Sequence, residues 1–167
     1  MNKAWIWLVL LLAVVLAVVR LSIGQQQPET QLLLNCSSEL YDHQQGGNSR
    51  QYFMLMDVQA QNHNVVLNYR YFSTDGQPLG SVKLEGAIKR RPAGAAYDIS
   101  ITHKDEQLLQ DVKPSHMDYL SYISNLNLTN KASHPMVIEM LDTDEQQHYA
   151  VIRSQPGNAI YGCRLQD

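Results

Sequence analysis

After residue 30, apolar and polar residues alternate along most of the chain, as they do in β-strands that bury one face. The alternation is clearest in four segments. Their apolar faces carry Tyr52, Met54, Met56, Val58 and Ala60; Val65, Leu67, Tyr69 and Tyr71; Val82, Leu84, Gly86 and Ile88; and Tyr97, Ile99 and Ile101. Asp75 and Gly76 form a hairpin turn signal between the second and third segments. The pattern predicts neighbouring antiparallel strands.

Further strands are predicted on both sides of these four. The region opens with "QLLLNCSSELY", and the fourth segment is followed by "QLLQDVK", another short candidate. Three more candidates come near the C-terminus: "HPMVIEML", "QHYAVIRS" and "NAIYGCRL". They are separated by the polar run "DTDEQ" and by a Pro-Gly turn in "QPGN". The total is eight or nine strands.

The period of the pattern changes from strand to helix in "PSHMDYLSYISNL". The residues that recur there at helical spacing are Met117, Leu120, Ile123 and Leu126. Ser115, followed three residues later by Asp118, is a plausible capping arrangement. We therefore predict one amphipathic helix over residues 115–126.

These elements predict a mainly β fold. Strands with one apolar face, hairpin-length turns and one late helix favour an antiparallel β-barrel or half-barrel of about eight strands. The alternative is a flat two-layer α+β arrangement in which the helix covers one face of the sheet.

The N-terminus differs from the rest because it carries the apolar run "AWIWLVLLLAVVLAVV". About twenty residues, 4–23, would span roughly 30 Å as a helix, which matches the hydrocarbon core of a bilayer. A cleaved signal peptide is the alternative, since Ser22 and Gly24 are small residues at a suitable spacing. The predicted organisation is a cytoplasmic tail at 1–3, a transmembrane signal anchor at 4–23, a linker at 24–30 and a periplasmic domain at 31–167.

Cys36 and Cys163 are the only cysteines, and each lies on the apolar face of a predicted strand, the first and the last. Pairing of those strands would close a barrel and bring the two side chains within bridging distance. An even cysteine count in an exported chain favours a disulfide. Two unrelated buried thiols are the alternative.

Composition and motifs exclude several kinds of chemistry. The formal net charge is −3, and the part after residue 30 is rich in Gln, Asn and Ser, which argues against nucleic-acid binding. No catalytic motif, cofactor site or metal-ligand spacing is present, so we predict no enzyme. The histidines lie mostly beside predicted turns and are interpreted as surface residues: His43, His63, His103, His116, His134 and His148. The basic run "KRRP" (89–92) is interpreted as a solvated strand edge, with lipid headgroups or an acidic partner as alternatives.

The interior is the best candidate for a binding site. Met and Tyr side chains form an adaptable lining with polar tips, which suits an amphipathic ligand. The predicted ligand-binding residues are Tyr52, Met54, Met56, Tyr69, Tyr71, Met136 and Met140, with Ile138 on the same inward faces. The alternative is a packed core, because a small barrel can be filled by its own side chains.

The whole layout resembles the FidL-like membrane proteins of enteric bacteria, which are similar in plan to ToxS, PsaF/MyfF and VtrC. The residues that carry the resemblance are the apolar N-terminal segment, "LNCSSELY" in the first strand, the late helix and the closing "YGCRL". The resemblance implies a lipocalin-like barrel that docks on the periplasmic domain of a ToxR-like regulator. Such a regulator is a single-pass membrane protein with a cytoplasmic winged-helix domain, and some of these pairs bind bile salts.

The expected function is therefore that of an accessory protein in the bacterial inner membrane. It would form a heterodimer with a ToxR-like regulator, stabilise it and sense an amphipathic ligand such as a bile salt. The alternative is a structural or assembly accessory, chaperone-like, of a surface fibre or secretion system, which would accept a partner strand at an exposed edge.

Overall fold

A computed structural model shows a closed antiparallel barrel of eight strands with one late helix. Apolar and polar side chains alternate along most of the strands, so that one face of the sheet lines the interior. The structure describes residues 11–13, 15, 30–43, 49–92 and 95–166. The strands are β1 (Thr30–His43), β2 (Ser49–Asn62), β3 (Asn64–Ser73), β4 (Pro78–Arg90), β5 (Ala96–Leu108), β6 (His134–Asp144), β7 (Tyr149–Gln155) and β8 (Ala159–Leu165). The helix α1 (Ser115–Lys131) connects β5 to β6. The predicted mainly β class is confirmed, and the flat two-layer alternative is wrong.

The core fills the inside of the barrel, and the alternation identified its residues. Every residue that the four clearest segments placed inward is buried, except Gly86, which is half-buried. Adjacent strands bring these residues side by side, as with Met54 opposite Tyr71 and Met56 opposite Tyr69. One-sided burial of this kind leaves polar side chains on the outer surface.

A β-bulge interrupts the pairing of β4 with β5. Glu85 lies opposite His103 and Gly86 opposite Ile101, so Thr102 has no opposite residue. Gly86 is required there, because a Cβ atom would lie 2.1 Å from the backbone oxygen of Ser100.

The bulge also changes which residues of β5 point inward. Before it, Ile99 and Ile101 are buried, whereas beyond it the partly buried residues are Lys104 and Glu106. The strand continues without a break to Leu108, which pairs with Gly80. The prediction of a separate short strand in "QLLQDVK" is therefore wrong, because its first residues end β5 and the remainder is a non-strand connection to α1.

The barrel closes between its first and last strands. Only four residue pairs join β1 to β8, from Leu34 opposite Leu165 to Ser37 opposite Gly162. Cys36 lies opposite Cys163 within this short seam, and a disulfide joins them. Both cysteines are buried. The predicted bridge is thus confirmed, and it reinforces the strand pair with the fewest hydrogen-bonded residues.

Helix α1 covers one end of the barrel and is longer than the predicted 115–126. Its buried residues are Met117, Leu120, Ser121 and Ser124. Leu126 was predicted to point inward and is instead 42% exposed. The predicted cap is also wrong, because Ser115 bonds outside the helix, to Asp42 of β1.

The predicted tail at 1–3, anchor at 4–23 and linker at 24–30 lie almost wholly outside the described residues. The exceptions are residues 11–13 and 15, which are helical, and Thr30, which begins β1. Among the residues that the structure describes, no helix combines the length and apolar character needed to span a bilayer.

The basic run at 89–92 includes the last two residues of β4. Lys89 and Arg90 pair with β5, whereas the pairing of β4 with β3 ends at Ala87, so one side of these two residues is a strand edge. Arg91 donates from Nε and from a terminal nitrogen to the carboxylate of Asp98. Lys89 and Arg90 are exposed.

Candidate ligand cavity beneath the helix

A cavity of about 310 Å³ lies at the covered end of the barrel, between α1 and the turn that joins β7 to β8. Its polar lining consists of Tyr69, Tyr119, Tyr161, His116 and Ser154. The remainder is apolar or glycine, from α1, β6, the turn and the start of β8. No Asp, Glu, Lys or Arg is among the lining residues. A pocket of this size, with few polar groups, has the character of a small-molecule site.

The structure divides the predicted ligand-binding residues into two groups. Tyr69 and Met136 line the cavity. The others do not line it: Tyr52, Met54, Met56 and Tyr71 are fully buried in the core, and Met140 packs partly buried against it. The sequence identified the barrel interior correctly, but alternation alone could not show which part of the interior stays open.

His116 connects the helix to the core tyrosines. Its Nδ1 lies 2.9 Å from the hydroxyl of Tyr71, and its backbone N–H donates to the hydroxyl of Tyr52 at 3.2 Å. The ring also lies 6.2 Å from that of Tyr69, measured between centroids. Burial lowers the pKa of His116, and nearby Asp42 only partly offsets this effect. The prediction of a surface residue is therefore wrong for His116.

Three polar residues of the cavity, Tyr69, Tyr161 and His116, are uncharged at neutral pH. Burial raises the pKa of Tyr69 well above the usual range, although a hydrogen bond with Ser154 acts in the opposite direction. Burial also raises the pKa of Tyr161. The phenols of Tyr69 and Tyr161 remain protonated and, with a neutral His116, offer hydrogen bonds without charge.

An ion-pair network lies beneath the middle of α1. Lys104 contacts Glu106 at 2.8 Å and donates to Ser121 of the helix at 2.6 Å. Ser121 also donates to Glu106, and Lys113 contacts the other oxygen of that carboxylate at 2.6 Å. Burial raises the pKa of Glu106, but hydrogen bonds from Lys104, Lys113 and Ser121 lower it to about 2. The sequence did not reveal this network, because the bulge turns these β5 residues inward.

Replacing Glu106 with Gln is expected to destabilise the protein by about 2 kcal/mol at pH 7, the range for hydrogen bonds to charged groups. The pKa of Glu106 is depressed in the folded state, so its contribution is complete above the ordinary value of 4.5 and is lost towards pH 2. The free energies of unfolding of wild type and E106Q, measured in urea, should therefore converge as the pH falls from 4.5 to 2.

Glu85 provides the control for this measurement, because it pairs with Lys83 on the exposed surface. E85Q should change stability much less than E106Q. The double variant K104M/E106Q should recover part of the loss, because it removes the ammonium group that E106Q leaves buried. A difference in unfolding free energy between wild type and E106Q that stays constant with pH would contradict this account.

His134 is buried where α1 is followed by β6, and it too was wrongly predicted as a surface residue. Asn127 donates to its Nδ1 at 2.9 Å, while Nε2 has no partner among the described residues. Burial lowers the pKa of His134. Its inward position was detectable in the sequence, because it has the same parity as Met136 and Ile138.

No cluster of three or more His, Cys, Asp or Glu side chains within the described part of the chain could hold a metal ion. Comparison with known proteins adds no assignment, because no family model matches the chain and no curated protein matches it.

Proposed function

We propose that this protein is an accessory subunit, anchored in the bacterial inner membrane, that binds an amphipathic ligand such as a bile salt beneath α1. It acts through a ToxR-like regulator with which it pairs in the periplasm. The observation that carries the ligand-binding part is the cavity, which combines apolar side chains with tyrosine, serine and histidine groups and has no ionic lining. The partner and the location rest on the resemblance of the sequence to FidL-like proteins.

The lining defines how such a ligand is oriented. Burying an ionised group without an opposite charge is costly, so the charged end of the ligand stays at the mouth. The apolar body enters, and its hydroxyl groups meet Tyr69, Tyr161 and Ser154. The relevant ligand class is therefore hydroxylated and mainly apolar, with at most one charged end.

Filling the cavity is expected to weaken binding. Ala159 lines the cavity, and replacing it with Phe should reduce affinity for a fluorescent bile-salt analogue at least tenfold, about 1.4 kcal/mol. The measurement is an equilibrium titration of the full chain in lipid nanodiscs, with empty nanodiscs to correct for partitioning into lipid.

The neighbouring Ile160 provides the matched control, because it is 63% exposed on the outer surface. Affinity for I160F should equal that of the wild type. Equal affinities for A159F and wild type would place any binding elsewhere, and no saturable binding by the wild type would reject ligand sensing in this cavity.

The partner is tested by co-expression with a ToxR-like regulator from the same genome. Co-purification from membranes and a longer lifetime of the regulator are the expected results. A regulator that is equally stable without this protein and never co-purifies with it would reject the pairing. The alternative role as a strand-accepting chaperone would need an unpaired strand edge, and among the described strands the barrel leaves such edges only where the pairing of two strands is shorter than the strands themselves, as between β1 and β8.

A further inference from the structure

Helix α1 is held on the barrel by a small apolar contact. Of its four buried residues, only Met117 and Leu120, both in the first half of the helix, are apolar, and the other two are serines. The hydroxyl of Ser124 is buried without a hydrogen-bond partner among the described residues. This lowers the free energy gained when the helix packs on the barrel. Elements with few buried apolar contacts open more readily than the core to which they attach.

The first turn of α1 is fastened by polar contacts with β1 and β2. Ser115 donates its backbone N–H to Asp42 at 3.0 Å, and its hydroxyl donates to the same carboxylate. The N–H of His116 donates to Tyr52. The first N–H groups of a helix lack partners within it, and a carboxylate is favourable there. Asp42 therefore acts as a latch on this end of the helix.

The second half of α1 is attached differently. Ser121 bonds to both Lys104 and Glu106 inside the ion-pair network. Further along, Asn127 bonds to His134, which is fully buried. These contacts are partly buried, whereas the hydrogen bonds from Ser115 to Asp42 are exposed to solvent, so the second half is the fixed end.

We infer that the first half of α1, residues 115–120, is a lid over the cavity that opens at the Asp42 latch and pivots near Ser121. This inference rests on the proposed ligand site, because the lid regulates access to that cavity. His116 belongs to both parts: its backbone N–H takes part in the fastening, and its side chain lines the cavity. A ligand that contacts His116 therefore binds the open and closed lids unequally, which is the condition for shifting their populations.

The test compares Asp42→Ala with Asp98→Ala in the full-length protein in nanodiscs. Asp98 is a matched control because its carboxylate also accepts hydrogen bonds, from Arg91, but near the opposite end of the barrel. In D42A, backbone amides of residues 118–121 should exchange with solvent at least tenfold faster, while barrel amides keep their wild-type rates. The association rate of the fluorescent bile-salt analogue should rise at least tenfold, and D98A should change neither quantity.

Two results would contradict the inference that residues 115–120 form a lid. One is exchange of residues 118–121 only together with the barrel strands in both wild type and D42A. The other is an unchanged association rate in D42A despite saturable binding. The failure of the proposed function looks different: the wild type would not bind the analogue, whereas the exchange experiment would still report whether the lid opens.

Discussion

Replacing both cysteines with alanine, C36A/C163A, should lower the free energy of unfolding by about 3–5 kcal/mol. The bridge joins residues 127 positions apart, and cross-linking so long a loop greatly reduces the freedom of the unfolded chain. It also lies in the seam of four residue pairs between β1 and β8, whereas β1 and β2 pair along their whole lengths. The double variant thus loses both the cross-link and the support of the shortest strand pair.

The loss should appear as a lower urea midpoint for the double variant than for the oxidised wild type. Wild type that has been reduced under denaturing conditions and kept reduced should unfold near the midpoint of the double variant, which separates the covalent effect from repacking around alanine. Equal midpoints for oxidised wild type and C36A/C163A would show that backbone pairing alone secures the seam.

Gly86→Ala is expected to be the most damaging single substitution, with a loss of about 4 kcal/mol or more. The added Cβ would lie 2.1 Å from the oxygen of Ser100 and 2.7 Å from the Cα of Ile101, all in the backbone of the paired strand. Backbone atoms cannot rotate away as a flexible side chain does. The variant must therefore displace the bulge and, with it, the inward turn of the following residues of β5.

Gly162→Ala is the control for this effect, because its added Cβ would meet nothing within 4 Å. Its stability should stay within about 0.5 kcal/mol of the wild type. Thermal unfolding of the two variants side by side provides the measurement. A Gly86→Ala protein as stable as Gly162→Ala would mean that the β4–β5 pairing adapts without cost.

The fold was largely predictable because most of its strands keep a strict period of two. Alternation alone assigned the buried faces of β2, β3 and the first half of β5, and it placed Cys36 and Cys163 on the inward faces of the first and last strands. Strands with one apolar face, together with a cysteine in the first and in the last strand, were enough to favour a barrel. The change to a helical period predicted the late helix.

For the candidate site, the period of two placed Tyr69 and Met136 on inward faces, but it could not show which part of the interior stays open. The ion-pair network beneath α1 was less predictable still, because it depends on a departure from that period. The extra residue Thr102 turns Lys104 and Glu106 towards α1, where simple alternation would not place them. Two further irregularities lie between Met140 and Asp142 of β6 and between Tyr71 and Phe72 of β3. Local sequence does not show where a bulge falls, because the strands on both sides decide it.

The helix contacts were missed for a related reason. Ser115 was interpreted as a cap by its spacing from Asp118, but its partner is Asp42, 73 residues earlier in the chain. His116 meets Tyr71 only because α1 folds back over the barrel. Contacts of this kind follow from tertiary packing, and no short motif encodes them.

The meeting of the first and last strands also bears on how the protein is made. At roughly 5–20 residues per second, the 127 positions from Cys36 to Cys163 take on the order of ten seconds to synthesise. Throughout that interval one side of β1 has no strand to pair with, and a bare strand edge invites association with other chains. This edge of β1 therefore stays unpaired until β8 has been synthesised, and association with other chains has to be avoided until then.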